Sequence, residues 1–130
     1  MRRVFTTRSF ARWARREGLR DAVLCDAVAE MECGLVDADL GGGVFKKRVP
    51  LAGRGKRGGA RVLVATRRDG RWFFVYGFLK SERENVEARE LAALQLLAAA
   101  LLGVTIAATD TAIRLGELTE ICHEAKPAAH

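Results

Sequence analysis

The sequence predicts an α+β protein in which helices pack on one mostly antiparallel sheet. Two short helical patterns come first, three β-prone runs separated by turn signals follow, and a long stretch rich in alanine and leucine comes after them. A chain of 130 residues, 49% of them hydrophobic, is long enough for one such domain with a core of its own. We expect this domain to span residues 1–122, with a frayed tail over 123–130.

The N-terminal third predicts a strand followed by a helical hairpin. Residues 4–7 are short and β-prone, which predicts an edge strand. The first helical stripe ends at Gly18 and includes Trp13, which we expect in the core, and the second stripe ends at Gly34. The two stripes are Phe10, Trp13 and Ala14, and Leu24, Ala27, Val28 and Met31.

The middle of the chain predicts the strands of a β-meander. Asp69-Gly70 joins the last two strands and is a strong signal for a hairpin. Both of these strands are apolar on both faces, so we expect them to be central and covered on each side. Residues 35–43 are expected as an acidic loop, and residues 51–59 are too polar and glycine-rich for regular structure. The three predicted strands are residues 44–49, 61–66 and 72–79.

The C-terminal third predicts one long helix and two shorter elements. The long helix runs over residues 86–102, a short helix over 110–115 is closed by Gly116, and residues 118–122 extend as a strand. The uncharged stretch 91–109 reaches the length of a short membrane span. Its many alanines make it only weakly apolar, so a helix buried in the protein or covered by a partner is the better interpretation.

Positive charge is concentrated in the middle of the chain. Residues 46–71 hold ten basic residues and one acidic residue, a net charge of +9, whereas the whole chain carries +6. A compositional bias would spread arginine along the chain, so a basic segment indicates a localised anion-binding surface. The alternative is a solvated, arginine-rich surface without a ligand.

The three cysteines bear on the cellular compartment. Cys25, Cys33 and Cys122 cannot all pair within one chain, and no apolar secretory signal precedes them, which predicts a reducing, cytoplasmic location. Cys25 and Cys33 fall within helical patterns and are expected as small core residues. The Cys122-His123 pair has no partner cluster elsewhere in the sequence, so we expect no metal site.

Three central segments and one N-terminal segment carry a family resemblance. The central segments are CGLVDADLGGGVFKKRV at residues 33–49, GKRGGAR at 55–61 and FVYGFLKSERENV at 74–86, and the N-terminal one is FARWARREG at 10–18. Together they resemble the RelE-like, HigB-like toxins of type II toxin–antitoxin systems. The resemblance covers roughly residues 3–122.

The resemblance implies a fold, an activity and a partner. The fold is that of the RelE/ParE superfamily, whose element order is similar to the one predicted above. The activity is a ribosome-dependent endoribonuclease that cleaves mRNA and inhibits translation, and the partner is an antitoxin, in this subfamily typically a helix-turn-helix DNA-binding protein. No metal or other cofactor is implied, because the 2′-hydroxyl of the mRNA attacks the adjacent phosphate. Such chemistry needs cations near the phosphate, a base and an acid.

The resemblance also carries cationic positions over to this sequence. Arg61 begins a strand at a position where similar toxins bind a phosphate. Arginine suits that role because its guanidinium group is always charged and can bind two oxygen atoms. Residues 46–48 alternate along a strand, so two of these three cations are expected to share the functional face. The expected catalytic residues are Arg61, Lys46, Lys47, Arg83 and Tyr76. The expected RNA-binding residues are Arg48, Arg54, Lys56, Arg57 and Lys80.

The acid–base pair remains open at this point. The family pattern places an arginine directly after the lysine that matches Lys80, where this chain has Ser81, and a tyrosine a few residues later, where it has Glu87. The histidines, which serve as bases in other relatives, are both near the C-terminus. The candidates by elimination are Lys46, Lys47, Tyr76, Glu82 and Glu84.

A second class of function also remains open. The protein is either the nuclease or a non-catalytic relative that binds RNA or the ribosome, or inhibits gyrase as ParE-like proteins do. The missing acid–base residues favour the second class, and the dense basic strand and loop favour the first. The G-x-G-x-x-G pattern at 53–58 precedes a strand and not a helix, which indicates a basic loop that contacts phosphates and not a dinucleotide site.

Two further features concern packing. Four aromatic residues alternate along one predicted strand face and are expected in the core, with Tyr76 needing a polar partner for its hydroxyl. The long helix is more apolar than one sheet contact requires, so we expect a second chain on it, either the antitoxin or another copy of this protein. The four aromatics are Trp72, Phe74, Tyr76 and Phe78.

Overall fold

A six-stranded sheet organises residues 2–52 and 59–123, the part of the chain that this computed structural model describes. The strands lie in the order β2-β3-β4-β5-β1-β6, and every neighbouring pair is antiparallel except β1 and β5, which are parallel. The α+β class is therefore confirmed. The elements are β1 (Arg3–Thr7), α1 (Arg8–Glu17), α2 (Asp21–Glu32), β2 (Ala38–Gly41), β3 (Val44–Val49), β4 (Ala60–Thr66), β5 (Arg71–Leu79), α3 (Ala88–Gly103), α4 (Ile106–Arg114) and β6 (Leu118–Ile121).

Helices cover both faces of this sheet. Val62 and Val64 of β4 lie in a core that α1 and α2 close, whereas Leu63 and Ala65 lie in a second core under α3. Successive side chains of a strand point to opposite faces, so a strand that is apolar at every position fits only between two covered faces. The prediction that β4 and β5 are central strands is confirmed.

The helical hairpin forms as its capping residues predict. The hydroxyl of Thr7 accepts a hydrogen bond from the backbone N–H of Phe10 and caps α1, which ends at Gly18 in the left-handed conformation (φ 74°). Trp13 was expected in the core but is only half-buried and packs at the core's margin. It lies against Gly77 of β5, beyond the residues of β5 that pair with β1, which helical spacing alone does not show.

The expected position of β1 at the sheet edge is wrong. β6 returns along its outer side and pairs with it from Val4 opposite Ile121 to Thr7 opposite Leu118. The two strands are more than 100 residues apart in sequence, so no local pattern indicates the pairing. The edges of the sheet are instead β2 and β6.

The acidic segment expected as a loop contains the edge strand β2. Ala38–Gly41 pairs with β3 and joins it through glycines with positive φ, 64° at Gly42 and 83° at Gly43, so the meander has four strands and not three. A side chain at Gly42 would meet Gln95, its ideal Cβ lying 2.9 Å from Cγ of that residue. The polar composition of this segment gave no strand signal, because an edge strand is partly solvated and needs few apolar residues.

A bulge in β5 divides its aromatic residues between the two cores. Val64 pairs with Phe74 but Leu63 pairs with Tyr76, so Val75 is an extra residue in the ladder. Phe74 therefore lies in the core below α1, and Tyr76 packs against the core below α3. The expectation that these aromatics share one face is wrong for this reason.

The C-terminal elements follow the prediction in order and type, and the largest shift of a boundary is at the start of α4. α3 begins with a capping box between Glu87 and Glu90 and ends at Gly103. α4 begins at Ile106, four residues earlier than expected, because the hydroxyl of Thr105 accepts from the N–H of Ala108 and caps it. Among the described residues no single helix meets the length and apolarity of a membrane span, although α3 and α4 do so together as a pair bent by 110°.

The cysteines differ from expectation. Cys25 of α2 and Cys122, just after β6, form a disulfide across 97 residues, and Cys33 is exposed and not in the core. Cys25 and Cys122 both pack against the core that α1 and α2 close, which brings their sulfur atoms together. Helical spacing predicts that a residue faces inward, but it cannot show which distant residue it meets.

Candidate functional site

α3 covers only part of its face of the sheet and leaves a basic area uncovered. Val44 of β3 lies under α3. Lys46 and Arg48 follow at two-residue steps and therefore share that face. Arg48 is directly opposite Arg61 in the ladder, which places Arg61 on the same face at the start of β4.

A pocket of about 400 Å³ opens over this uncovered area. Four cations and two carboxylates surround it, so its formal charge is positive. A concave site lined by preplaced cations attracts and binds a polyanion such as a phosphodiester. We call it the basic pocket, and its residues are Asp37, Lys46, Arg48, Arg61, Lys80 and Glu84.

Arg61 is the most firmly held of these cations. Its side chain is only 12% exposed, and its Nε lies 3.8 Å from Oδ2 of Asp37. Its Nη1 donates to the carbonyl of Ala60 at 3.4 Å. Asp37 is itself tied to β3, because its backbone N–H donates to the carbonyl of Lys46 at 2.9 Å. A charge ordered in this way loses little conformational freedom when it binds an anion.

Asp37 was missed in the sequence, where it lies in the segment expected as a loop. The signal that could have revealed it is the glycine triplet that follows, because a tight turn after an alternating segment indicates a hairpin. Once β2 pairs with β3, Asp37 lies beside Lys46.

Lys47 lies on the opposite face of β3, outside the basic pocket. Its side chain is 8% exposed, and its Nζ forms an ion pair with Glu30 of α2 at 2.7 Å. Lys46 and Arg48 are the two cations of this run that line the pocket. The structure therefore does not bring Lys47 together with the other expected catalytic residues.

Arg83 and Tyr76 form a second cluster with Glu90. Arg83 forms a salt bridge with Glu90, its Nη1 donates to the hydroxyl of Tyr76 at 3.2 Å, and that hydroxyl donates to Glu90 at 3.4 Å. The hydrogen bond from Arg83, followed by the one from the backbone of Glu87, lowers the pKa of Glu90 to about 2. Glu90 in turn raises the pKa of Arg83. Tyr76 thus has the polar partner that its hydroxyl was expected to need.

The remaining expected cations belong to the basic loop and to the end of β5. Lys80 lines the basic pocket, and its backbone N–H donates to the carbonyl of Gly59 at 3.2 Å. This bond ties the end of the loop to the pocket. Arg54, Lys56 and Arg57 lie outside the described residues, as does the expected tail except His123.

Within residues 2–52 and 59–123, no three His, Cys, Asp or Glu side chains come together in a way that could hold a metal ion. The carboxylates of Asp37 and Glu84 line the basic pocket together with four cations. The chemistry that these groups support is the binding of an anion and the transfer of protons next to it.

A model of the RelE toxin of the RelE/RelB toxin–antitoxin system matches residues 2–121 of the chain. The chain belongs to the RelE toxin family. It is the toxin of a toxin–antitoxin system, and an antitoxin is the partner that this family implies. No curated protein matches the sequence. In this RelE-family toxin, Arg61, for which the resemblance implies phosphate binding, is one of the residues that line the basic pocket.

Proposed function

We propose that this toxin is a ribosome-dependent endoribonuclease that cleaves mRNA in the basic pocket. The observation that supports it best is the adjacent placement of Arg48 and Arg61 on one uncovered sheet face, with Lys46 beside them and Lys80 at the rim. Negative charge grows on the phosphoryl oxygens as the 2′-hydroxyl attacks, and fixed guanidinium groups stabilise it.

The placement of the acid–base candidates narrows the choice between them. Lys46 and Glu84 line the basic pocket, whereas Tyr76 and Glu82 lie outside its lining and Lys47 is on the other face. In our proposal the carboxylate of Glu84 accepts the 2′-proton, and the ammonium of Lys46 protonates the departing 5′-oxygen. The 2′-oxygen bonds to phosphorus, the bond from phosphorus to the 5′-oxygen breaks, and a 2′,3′-cyclic phosphate remains.

Cleavage of ribosome-bound mRNA by the purified toxin tests this proposal. Primer extension should show new 5′ ends, and the upstream fragments should end in a cyclic phosphate. Glu84→Gln and Lys46→Met should each slow single-turnover cleavage by about 10²-fold or more, the range expected for an acid or base. Normal rates in both variants would overturn this assignment of the pair.

The inhibition of gyrase and non-catalytic RNA binding are the competing functions. Glu87 occupies the place where the family pattern has a tyrosine, and here its side chain caps α3. This departure is the observation that favours a non-catalytic relative. Pulse labelling of expressing cells separates the alternatives. The nuclease stops protein synthesis and cuts mRNA, a binder stops synthesis without cuts, and a gyrase inhibitor changes DNA supercoiling while synthesis continues.

The partner and the compartment complete the proposal. We propose that this toxin is HigB-like and that its antitoxin is a helix-turn-helix DNA-binding protein, bound in part on the apolar outer surface of α3 and α4. We also propose a bacterial cytoplasmic location, since the ribosome is the site of action. Disulfides are rare in that reducing compartment, so the bond between Cys25 and Cys122 is the observation that opposes this location. Alkylation before lysis, followed by mass spectrometry, tests the location: both cysteines should be modified if the compartment is reducing, and neither should be modified if the disulfide is present in the cell.

A further inference from the structure

A second pocket opens at the border of β5 where β1 stops. β1 pairs with β5 only as far as Thr6 opposite Phe74, and the chain then turns at Thr7 into α1. Beyond this point α1 contacts β5, and the ring of Trp13 lies against Gly77. A cavity of about 400 Å³ remains between them. We call it the aromatic pocket, and its residues are Ser9, Phe10, Trp13, Arg16, Val75, Tyr76, Gly77, Phe78, Glu82 and Arg83.

The wall of this pocket is a fixed indole ring. Trp13 lies so close to Gly77 that a Cβ atom at residue 77 would be 2.2 Å from Cζ3 of the ring. On its other flank Phe10 contacts the ring at a centroid distance of 5.5 Å and an angle of 50°. The half-buried indole therefore presents a preformed apolar surface at the pocket.

The polar groups of the pocket are few and lie among aromatic rings. Ser9, Arg16 and Glu82 supply donors and acceptors, and Arg83 is held by Glu90 and lies over the ring of Phe78 at 5.6 Å. Sites that bind an unstacked nucleobase combine an aromatic or guanidinium surface with hydrogen-bonding groups for the base edge. The aromatic pocket has both.

One turn of the chain separates the aromatic pocket from the basic pocket. The N–H groups of Glu82 and Arg83 donate to the carbonyl of Leu79 at 3.0 and 3.2 Å and shape this turn. Lys80 and Glu84 line the basic pocket, and Glu82 and Arg83 line the aromatic one. Consecutive Cα atoms are about 3.8 Å apart, so residues of both linings lie within the span of a nucleotide.

We propose that the aromatic pocket binds a nucleobase of the RNA strand whose phosphate occupies the basic pocket. The inference rests on the proposed function and adds a base-specificity subsite that includes Trp13, Arg16 and Arg83. An extended peptide would need a free strand edge along which to pair, and α1 lies there instead. A single flat ring needs only the short cavity that is present.

The fluorescence of Trp13 gives a direct test. The chain has two tryptophans, and Trp72 is only 2% exposed, so quenching by a ligand reports Trp13. The probe is a tetranucleotide with 2′-O-methyl groups, which block cleavage, titrated at low salt with binding followed independently by anisotropy. We expect quenching by the intact probe and little quenching by a matched probe that lacks bases. Trp13→Phe identifies the source of the signal, because the quenching should disappear when the indole is removed.

A second measurement uses the ribosome. Trp13→Leu, checked for an unchanged circular dichroism spectrum, should bind the intact probe about 5- to 150-fold more weakly, the range expected for one lost stacking contact. The same variant should also show a weaker preference for particular bases next to the cleavage site, as read from the sequenced ends of cleaved mRNA. Binding without quenching and an unchanged base preference would overturn the subsite and leave the nuclease intact. Quenching by the antitoxin alone would show a peptide site and also overturn it. A failure of RNA binding and cleavage in the wild type would overturn both proposals.

Discussion

The carboxylate of Asp37, the residue just before β2, lies 3.8 Å from Nε of Arg61 on β4, although β3 lies between β2 and β4 in the sheet. The contact passes over β3 on the face that α3 leaves uncovered. It fixes a guanidinium group in a pocket that is otherwise rich in cations. A charged group that is already oriented needs no reorganisation when negative charge develops on a phosphate, so it lowers the energy of the transition state effectively.

Arg61→Ala should therefore be the most damaging single substitution. We expect the rate of cleavage of ribosome-bound mRNA to fall by about 10²-fold or more, as for the loss of one preplaced donor at a charged transition state. Asp37→Asn should lower the rate by a smaller factor, because the arginine stays but loses its anchor. Arg114→Ala, which changes an exposed arginine bonded to Thr111 within α4, is the control and should leave the rate unchanged. Normal cleavage by the Arg61 variant would exclude its role.

Substitutions at the neighbouring residues Lys46 and Lys47 should have different effects: the first should reduce activity, and the second should reduce stability. Lys46→Met should remove activity and leave the melting temperature unchanged, because Lys46 lines the pocket. Lys47→Met should keep activity and lower the free energy of unfolding by about 0.5–1.5 kcal/mol, because it removes a hydrogen-bonded ion pair whose Glu30 side chain is 53% exposed and can be solvated by water. Thermal denaturation and single-turnover cleavage, measured on both variants, decide this. An inactive but stable Lys47 variant would contradict the assignment of faces.

The loop cations should determine affinity more than chemistry. Arg54, Lys56 and Arg57 lie among glycines, which suit contacts that follow an RNA backbone. Each alanine variant should weaken ribosome binding and make the slope of log K against log salt shallower by about 0.7–0.9. Binding measured from low to physiological salt tests this, and Arg114→Ala again serves as the control. Loss of turnover with an unchanged salt slope would move these residues into the catalytic machinery.

Glu90 should make stability depend on pH in the acid range. Its folded pKa of about 2 lies below the ordinary value of 4.5, so its contribution is full above pH 4.5 and is lost as the pH falls toward 2. The difference in melting temperature between the wild type and Glu90→Gln should shrink through that window. In Arg83→Gln, NMR titration should show the pKa of Glu90 shifted back toward 4.5, because its largest cause is gone. A pKa that stays near 2 there would contradict the pairing.

The exposed apolar surface of α3 and α4 should make the isolated chain prone to aggregation or self-association. Leu96 is 75% exposed and Ile106 is 63% exposed, and an apolar groove of about 630 Å³ lies between α1, α3 and α4. We expect the isolated chain to bind an apolar dye and to aggregate or self-associate, and the complex with its antitoxin to do neither. Leu96→Glu should reduce dye binding, whereas Leu35→Glu, at an exposed leucine outside this surface, should not. Light scattering distinguishes a homodimer, and a monodisperse monomer without dye binding would contradict the prediction.

Much of the fold could be predicted because its signals are local. The hairpin at Asp69-Gly70 and the helix stops at Gly18 and Gly34 depend on the backbone preferences of a few adjacent residues. The apolar runs of β4 and β5 identify strands buried on both sides. The same reasoning failed at β2, whose polar edge sequence has no apolar pattern.

The candidate site could be predicted only as a set of residue types. The sequence alone determined the α+β class, the concentration of positive charge between residues 46 and 71, and the resemblance to the family to which the chain belongs. It could not separate Lys46 from Lys47, since the two differ only in the face to which the strand register turns them.

Only the tertiary structure decided which distant residues meet. It placed β6 outside β1, joined Cys25 to Cys122, brought Asp37 over β3 to Arg61, and set Trp13 against Gly77. Each of these contacts joins segments that are distant in the chain or belong to different elements. Local preferences are satisfied equally well whether such segments meet or not, so strand order, register and helix packing together select the partners.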